Sequence, residues 1–399
     1  MTRADHPLAN VSLHELRQRT SEKWRHYPDD VLPLWVAEMD TALAEPVERA
    51  LVTAARGGDL GYAIATPYIE ALGDFAVRHW GWGGVTVERS RAVANVMSGV
   101  TAAIMALTDP GDRVVVNCPV YAPFYSHTEH SGRVIDEVAL GADGRLDLDE
   151  MERAFARARA ASRRPAYLLC NPHNPTGTLH RPEELTRVLA LANAHGLRVI
   201  ADEIHAPLVL HGSFTPLLSL PGAERAVSVL SASKAFNLAG APAAALVVGE
   251  GASDVLTALE HRVVPGPSQL GVLAQGAALR EGDDWLRALL DDLVARQTLL
   301  ITLLEEYLPA ARYLPGQATY LAWLDLRELG HFESSEGERG TMMSLSGPAS
   351  YFLEHARVAL SDGAAFGTGG SGHVRLNFAT SEEILTEALE RLGRVTSSR

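Results

Sequence analysis

Ser231-Ala232-Ser233-Lys234-Ala235-Phe236-Asn237-Leu238-Ala239-Gly240 lies between two short apolar runs, 226–230 and 243–249. Both runs are rich in Ala, Val and Leu and read as buried strands. Lysine is almost never buried unless it is paired or used. Two small hydroxyls precede Lys234 or flank it, and a glycine closes the stretch. Small residues let the backbone approach a ligand, and hydroxyls can hold a phosphate. A lysine desolvated there has a depressed pKa and a free amine, as Schiff-base chemistry requires. A solvated lysine in a surface loop fits the same ten residues, so the rest of the chain must decide.

Outward from this stretch, helix and strand patterns alternate from residue 46 to residue 267. Strands are expected at 91–97, 113–117, 134–138, 166–170 and 197–201. Helices are expected at 67–80 (Thr66 as N-cap), 98–107, 121–130, 147–163 and 181–195. Such alternation implies a mostly parallel sheet covered by helices on both faces. From 268 onward the pattern changes to long amphipathic helices at 269–280 and 284–308, strands at 312–314, 320–325 and 374–378, and helices at 351–360 and 381–395. The fold class is therefore α/β: a large domain with a mostly parallel, seven-stranded-type sheet, plus a smaller α+β domain. The expected division is an N-terminal arm (1–45), a large domain (46–267), and linking helices with the small domain (268–399). The arm reads as a helix at 11–19 and an extended apolar run at 32–40, which must pack on another domain or subunit. Residues 331–349 have no periodicity and read as a mobile loop.

The chain has 399 residues, with 47% hydrophobic and 21% charged, an ordinary globular balance. Its formal net charge of -14 argues against nucleic acid or an anionic membrane as the main partner. Two cysteines, Cys118 and Cys170, are too few for a disulfide framework and read as small buried hydrophobes in a reducing compartment. No apolar run reaches the ~18 residues of a membrane helix. The N-terminus has no signal-peptide core. A cytoplasmic protein is expected.

In an open α/β sheet, ligands bind beyond the carboxyl ends of the strands. The unusual residues collect there. Ser98-Gly99-Val100 opens a helix, where amides and dipole can hold a phosphate; an ordinary helix start looks the same. Tyr121 follows the next strand and could stack on a flat ligand or simply pack. Asn171-Pro172-His173-Asn174-Pro175-Thr176-Gly177 forms a stiff polar loop suited to aiming amides. Asp202-Glu203-Ile204-His205 puts a carboxylate at the edge of the core, where it needs a positive partner; His205 more often serves as a satisfied core histidine. Arg375 in an alternating strand suits a bidentate grip on a carboxylate or an internal salt bridge. Together these residues fit a phosphorylated pyridine aldehyde better than any other cofactor. No G-x-G-x-x-G after a strand, no P-loop and no H-E-x-x-H is present.

The linked set Asn-Pro-His-Asn-Pro-Thr-Gly, Asp-Glu-Ile-His and Ser-x-Ser-Lys-x-Phe-Asn-x-x-Gly resembles fold-type I pyridoxal-phosphate (PLP) enzymes of the class I/II aminotransferase-like group. The resemblance covers nearly all of the chain. Leu34 to Asp40, Gly61-Tyr62 and Pro119-Val120-Tyr121 make it most similar to the cystathionine β-lyase and cysteine-S-conjugate C–S lyase branch. The resemblance implies that Lys234 binds PLP and later moves the Cα proton, and that Asp202 pairs with the ring nitrogen. It implies that Asn174 bonds the phenolic oxygen, Tyr121 stacks on the ring, and Ser231 with Ser98, Gly99 and Val100 holds the phosphate, with His205 beside the cofactor. Tyr62 would reach the neighbouring subunit's phosphate in a homodimer. Arg375 would bind the substrate α-carboxylate, with Asn174, Tyr62, Trp35 and Ala37 on the substrate side. The implied reaction is α,β-elimination from an S-substituted L-cysteine, with transamination or decarboxylating oxidative deamination as alternatives. Three departures stand out, one of them His205, three residues after Asp202, where aminotransferases often carry a tyrosine. Ala241-Pro242 follows Gly240 where many aminotransferases place an arginine. The arm reads Ala-Glu-Met-Asp-Thr where the lyase branch usually has Ala-Asp-Met-Asp-Phe.

Overall fold

The computed structural model describes residues 6–262, 264–330, 339–341 and 345–397. Seven strands form the larger sheet, in the order Ser90–Val93, Ala244–Val248, Val227–Leu230, Arg198–Asp202, Ala166–Cys170, Arg113–Cys118 and Val134–Ala139. Neighbours run parallel except Ala244–Val248, which is antiparallel to both of its partners. The four central strands are buried at every position. That is why they read as continuous apolar runs rather than alternating ones. One face packs Val100, Ile104 and Phe124 against Val116 and Leu246. The other packs Phe155, Leu185 and Val188 against Val115, Tyr167 and Val199.

The smaller sheet is antiparallel, in the order Ser361–Asp362, His373–Asn377, Leu321–Asp325, Arg312–Tyr313. It joins the helices Gln269–Glu281 and Asp283–Tyr307, the arm and part of the large sheet in one apolar core. The arm is stitched in by pairing rather than by its own structure. Leu32–Pro33 runs parallel to Val358–Ala359, and the buried pair Lys23–Asp40 (2.8 Å) holds the segments around it.

Several boundaries differ from the sequence expectation. The helix expected at 351–360 is Gly347–His355, after which Arg357 turns into the left-handed region (φ 56°) and the chain becomes the strand that meets the arm. Only tertiary pairing makes that strand. The helix expected at 11–19 is only Leu13–Leu16, with a Ser12/Glu15 capping box, and a second short helix, Glu22–Arg25, follows it. The helix expected to be capped by Thr66 takes Thr66 into its first turn, behind Ala65. The loop expected at 331–349 lies largely outside the described residues. Among the described residues no helix is long and apolar enough to cross a membrane. Cys118 and Cys170 are free and buried.

Candidate active site

The 231–240 stretch leaves the Val227–Leu230 strand and turns tightly before the antiparallel Ala244–Val248 strand. Asn237 sits at φ 55°, a conformation that Asn tolerates better than bulkier residues. Its side chain accepts a bond from Met39 N (2.8 Å) and donates to Met39 O (2.9 Å). The lysine turn and the arm are thereby locked together. Lys234 Nζ donates to the carbonyl of Ala37 at 2.8 Å, and Tyr320 Oη donates to the same oxygen at 3.0 Å.

Lys234 lines a cavity of about 560 Å³ that also receives Asp202, Tyr121, Asn174, His205, Arg375, Trp35, Ala37 and Ser98. Asp202 ends its strand beside Cys170 and accepts a bond from Ile204 N at 3.1 Å. Among the described residues no cation forms an ion pair with it. Burial pushes its pKa up to about 7, against the pull of Ile204 N–H and Lys234. Burial and then Arg375 bring Lys234 down to about 8, with Glu38 and Asp202 opposing. His205 is held down to about 3 by burial, Lys234 and Arg375, and is neutral. Its Nδ1 is buried without a partner.

Arg375 reaches the cavity from the small sheet. Its guanidinium donates to Asn174 Oδ1 (3.1 Å), Trp35 O (3.0 Å) and Ser361 Oγ (3.1 Å), and lies 5.0 Å over the Phe366 ring. No carboxylate pairs with it among the described residues, so a buried cation faces the cavity with only neutral acceptors. Asn174 is aimed by its loop, where its N–H donates to Cys170 Sγ at 3.4 Å. Gly177 (φ 69°) closes that loop against the small domain; a Cβ there would meet Ala318 O at 2.7 Å.

Three expected residues lie behind the wall rather than on it. Gly99 and Val100 are buried inside the helix Val96–Leu107, which starts two residues earlier than expected. Asn95 caps it and accepts from Ser98 N (2.8 Å), so the first-turn amides of Val96 and Met97 are those left without an intrahelical acceptor. Ser231 Oγ donates inward to Ala243 O (2.6 Å), while Ser233 faces the cavity. Tyr62 is fully exposed and away from this chain's cavity. Asn95 could have been found as an Asn before an apolar-periodic helix. Glu22 and His127 also line the cavity, and no local pattern marks them; Ile204, inside the Asp-Glu-Ile-His run, lines it too.

The poised amine gives a direct test. Capture of an aromatic aldehyde by ligand-free protein should speed up about tenfold per pH unit below pH 8 and level off above it, because only the neutral amine attacks. A midpoint near the ordinary 10.5 would show a solvated lysine.

A buried carboxylate without a cation, a lysine with a lowered pKa and an unpaired buried arginine on one cavity define a site for an amino acid and an aldehyde cofactor with a cationic ring. The profile of the family Aminotransferase class I and II matches residues 44–392, and the chain belongs to that family. A Mycobacterium leprae protein with a provisional cystathionine beta-lyase name is 51% identical over 392 residues, covering 97% of this chain and 98% of that one. The cystathionine beta-lyase of Corynebacterium glutamicum is 34% identical over 96% of this chain and 98% of its own. The crystal structure of a protein from Corynebacterium diphtheriae, provisionally named a PLP-dependent beta-cystathionase, superposes with a TM-score of 0.87 at 33% identity, covering 98% of this chain and 99% of that one.

Proposed function

We propose that this protein is a PLP-dependent carbon–sulfur β-lyase that converts an S-substituted L-cysteine into a thiol, pyruvate and ammonia. The observation that carries it is the uncompensated trio Lys234, Asp202 and Arg375 on one cavity. The donor set fits the cofactor: an amine for its aldehyde, a buried carboxylate for its ring nitrogen, and helix amides with Ser98 and Ser233 for its phosphate. Pyridoxal phosphate, when bound, supplies an electron sink for charge developing at Cα.

The chain's own residues do the rest. Arg375 grips the α-carboxylate, and its bonds to Asn174 and Trp35 O fix the direction of that grip. Lys234, with its lowered pKa, takes the Cα proton onto Nζ, and the Ala37 carbonyl is placed to accept from the ammonium that results. The Cβ–S bond then breaks, and the thiolate leaves with the bonding pair and takes up a proton. Water converts the remaining enamine to pyruvate and ammonia. Tyr121, on the same cavity wall, would pack over the ring. Incubation with cystathionine or an S-alkyl-cysteine should release thiol and pyruvate in equal amounts. Amino transfer to a 2-oxo acid without thiol release would make the protein an aminotransferase instead.

The active unit is proposed as a homodimer in the cytoplasm, divided into an arm (1–45), a large domain (46–267) and linking helices with a small domain (268–399). Leu60, Tyr62 and Ile64 stand exposed on one loop, an apolar set that a second copy would cover, with Tyr62 reaching its phosphate. Sedimentation of a fully active monomer would overturn the dimer.

A further inference from the structure

Most polar groups on the cavity wall have a partner or a role in the chemistry above. Glu22 has neither. It lines the cavity beside Trp35 and Val36, and its side chain is exposed. Among the described residues no cation or hydrogen-bond donor meets its carboxylate, because its basic neighbours are engaged elsewhere. Lys23 is paired with Asp40 at 2.8 Å and donates to Glu38 O at 3.0 Å. Arg25 donates to Arg17 O at 2.8 Å. An acidic residue at the start of a helix is ordinarily explained by the helix dipole. The helix here is Glu22–Arg25, four residues long, and has little dipole to complement.

The position of Glu22 is nonetheless fixed. Lys23 and Trp24, the two residues that follow it, are fully or nearly buried, and both bond Asp40. Ser21 Oγ donates to Glu38 Oε1 at 2.7 Å. Residues 38–40 are in turn fastened to Asn237 and Asn377. The same arm gives its Ala37 carbonyl to Lys234 and its Trp35 carbonyl to Arg375. One stiff segment therefore holds the backbone at Glu22 in place at the cavity that also receives the amine that does the chemistry and the guanidinium that holds the substrate.

We propose that Glu22 is a specificity residue that binds a protonated amine on the leaving thiol, so that the preferred substrates are S-conjugates of L-cysteine with a cationic distal end. The proposal rests on the lyase reading. The cavity then has a cation for the α-carboxylate and an anion for the far end of the same molecule. The protein's net charge of -14 adds attraction in the same direction.

The test compares two conjugates of nearly equal shape, S-(3-aminopropyl)-L-cysteine and S-butyl-L-cysteine, on the holoenzyme. Thiol release gives kcat/KM, and the change in cofactor absorbance on titration gives Kd independently of turnover. In the wild type the amine-bearing conjugate should be favoured about threefold to fivefold in both measures, the upper end for an ion pair at an exposed site. That preference should shrink as salt is raised. Glu22→Gln should bring the ratio to about one, and Glu22→Lys should reverse it. Equal ratios in the wild type, or a preference that survives Glu22→Gln, overturn the assignment. Absence of thiol from both conjugates removes the lyase reading, and the Kd ratio then decides on Glu22 alone.

Discussion

Lys234→Ala will leave a folded protein that has lost its chemistry. Lys234 lies half-buried on the cavity wall with one hydrogen bond, to Ala37 O, so its removal vacates little packing. The Ala37 carbonyl keeps Tyr320 as a donor and is not orphaned. The lysine stalk leaves space that water or a small amine can enter. Under the proposed reading two functions go at once: covalent capture of the cofactor aldehyde and the Cα proton transfer. A positioned acid–base group contributes up to about 10⁴-fold, so elimination should fall by at least that much. The yellow absorption of lysine-bound pyridoxal, near about 420 nm, should disappear while the circular dichroism of the fold is kept. Added methylamine should restore part of the elimination rate, because it can take up the proton that Nζ took. An unchanged visible spectrum would remove Lys234 from its role.

The larger fold was legible because each central strand is buried on both faces, and burial on both faces leaves a run of apolar residues that needs no partner to be recognised. The runs at 166–170 and 226–230 are of this kind. Punctuation by Asn-Pro and Gly then placed the chemistry at strand ends, and Asn174, Asp202 and Lys234 meet there on one cavity wall. What stayed hidden depends on pairing across long sequence distances. Val358–Ala359 is a strand only because Leu32–Pro33 lies beside it. Ser231 points inward because the Ala243 carbonyl waits twelve residues on. Glu22 reaches the cavity through the buried anchors Lys23 and Trp24, and neither the spacing nor the composition of 21–25 announces that. A lysine buried by an ion pair to Asp40 reads in sequence as an ordinary surface charge.

The same buried electrostatics make Asp202→Asn the second large effect. Asparagine matches aspartate in shape and can still accept from Ile204 N, so the strand end should keep its geometry. What it cannot do is carry a negative charge opposite a ring nitrogen. Removing one preorganised electrostatic partner typically costs about 10² to 10³-fold in turnover, and kcat should fall by that amount while substrate binding through Arg375 changes little. Reconstitution with a pyridoxal phosphate methylated on its ring nitrogen, which is cationic without a partner, should recover part of the loss. Stability should move the other way in the ligand-free protein. The Asp202 pKa rises from 3.8 to about 7 on folding because burial disfavours its charge. Between those values the folded state holds a proton that the unfolded chain has released, so stability falls as pH rises through that window. Above pH 7 the full penalty is present. Ligand-free Asp202→Asn should therefore melt higher than wild type at pH 8, and the gap should close toward pH 4. A variant that melts lower than wild type at pH 8, or turns over within twofold of it, would mean that Asp202 already has its counter-charge within the protein and does not await one from the cofactor.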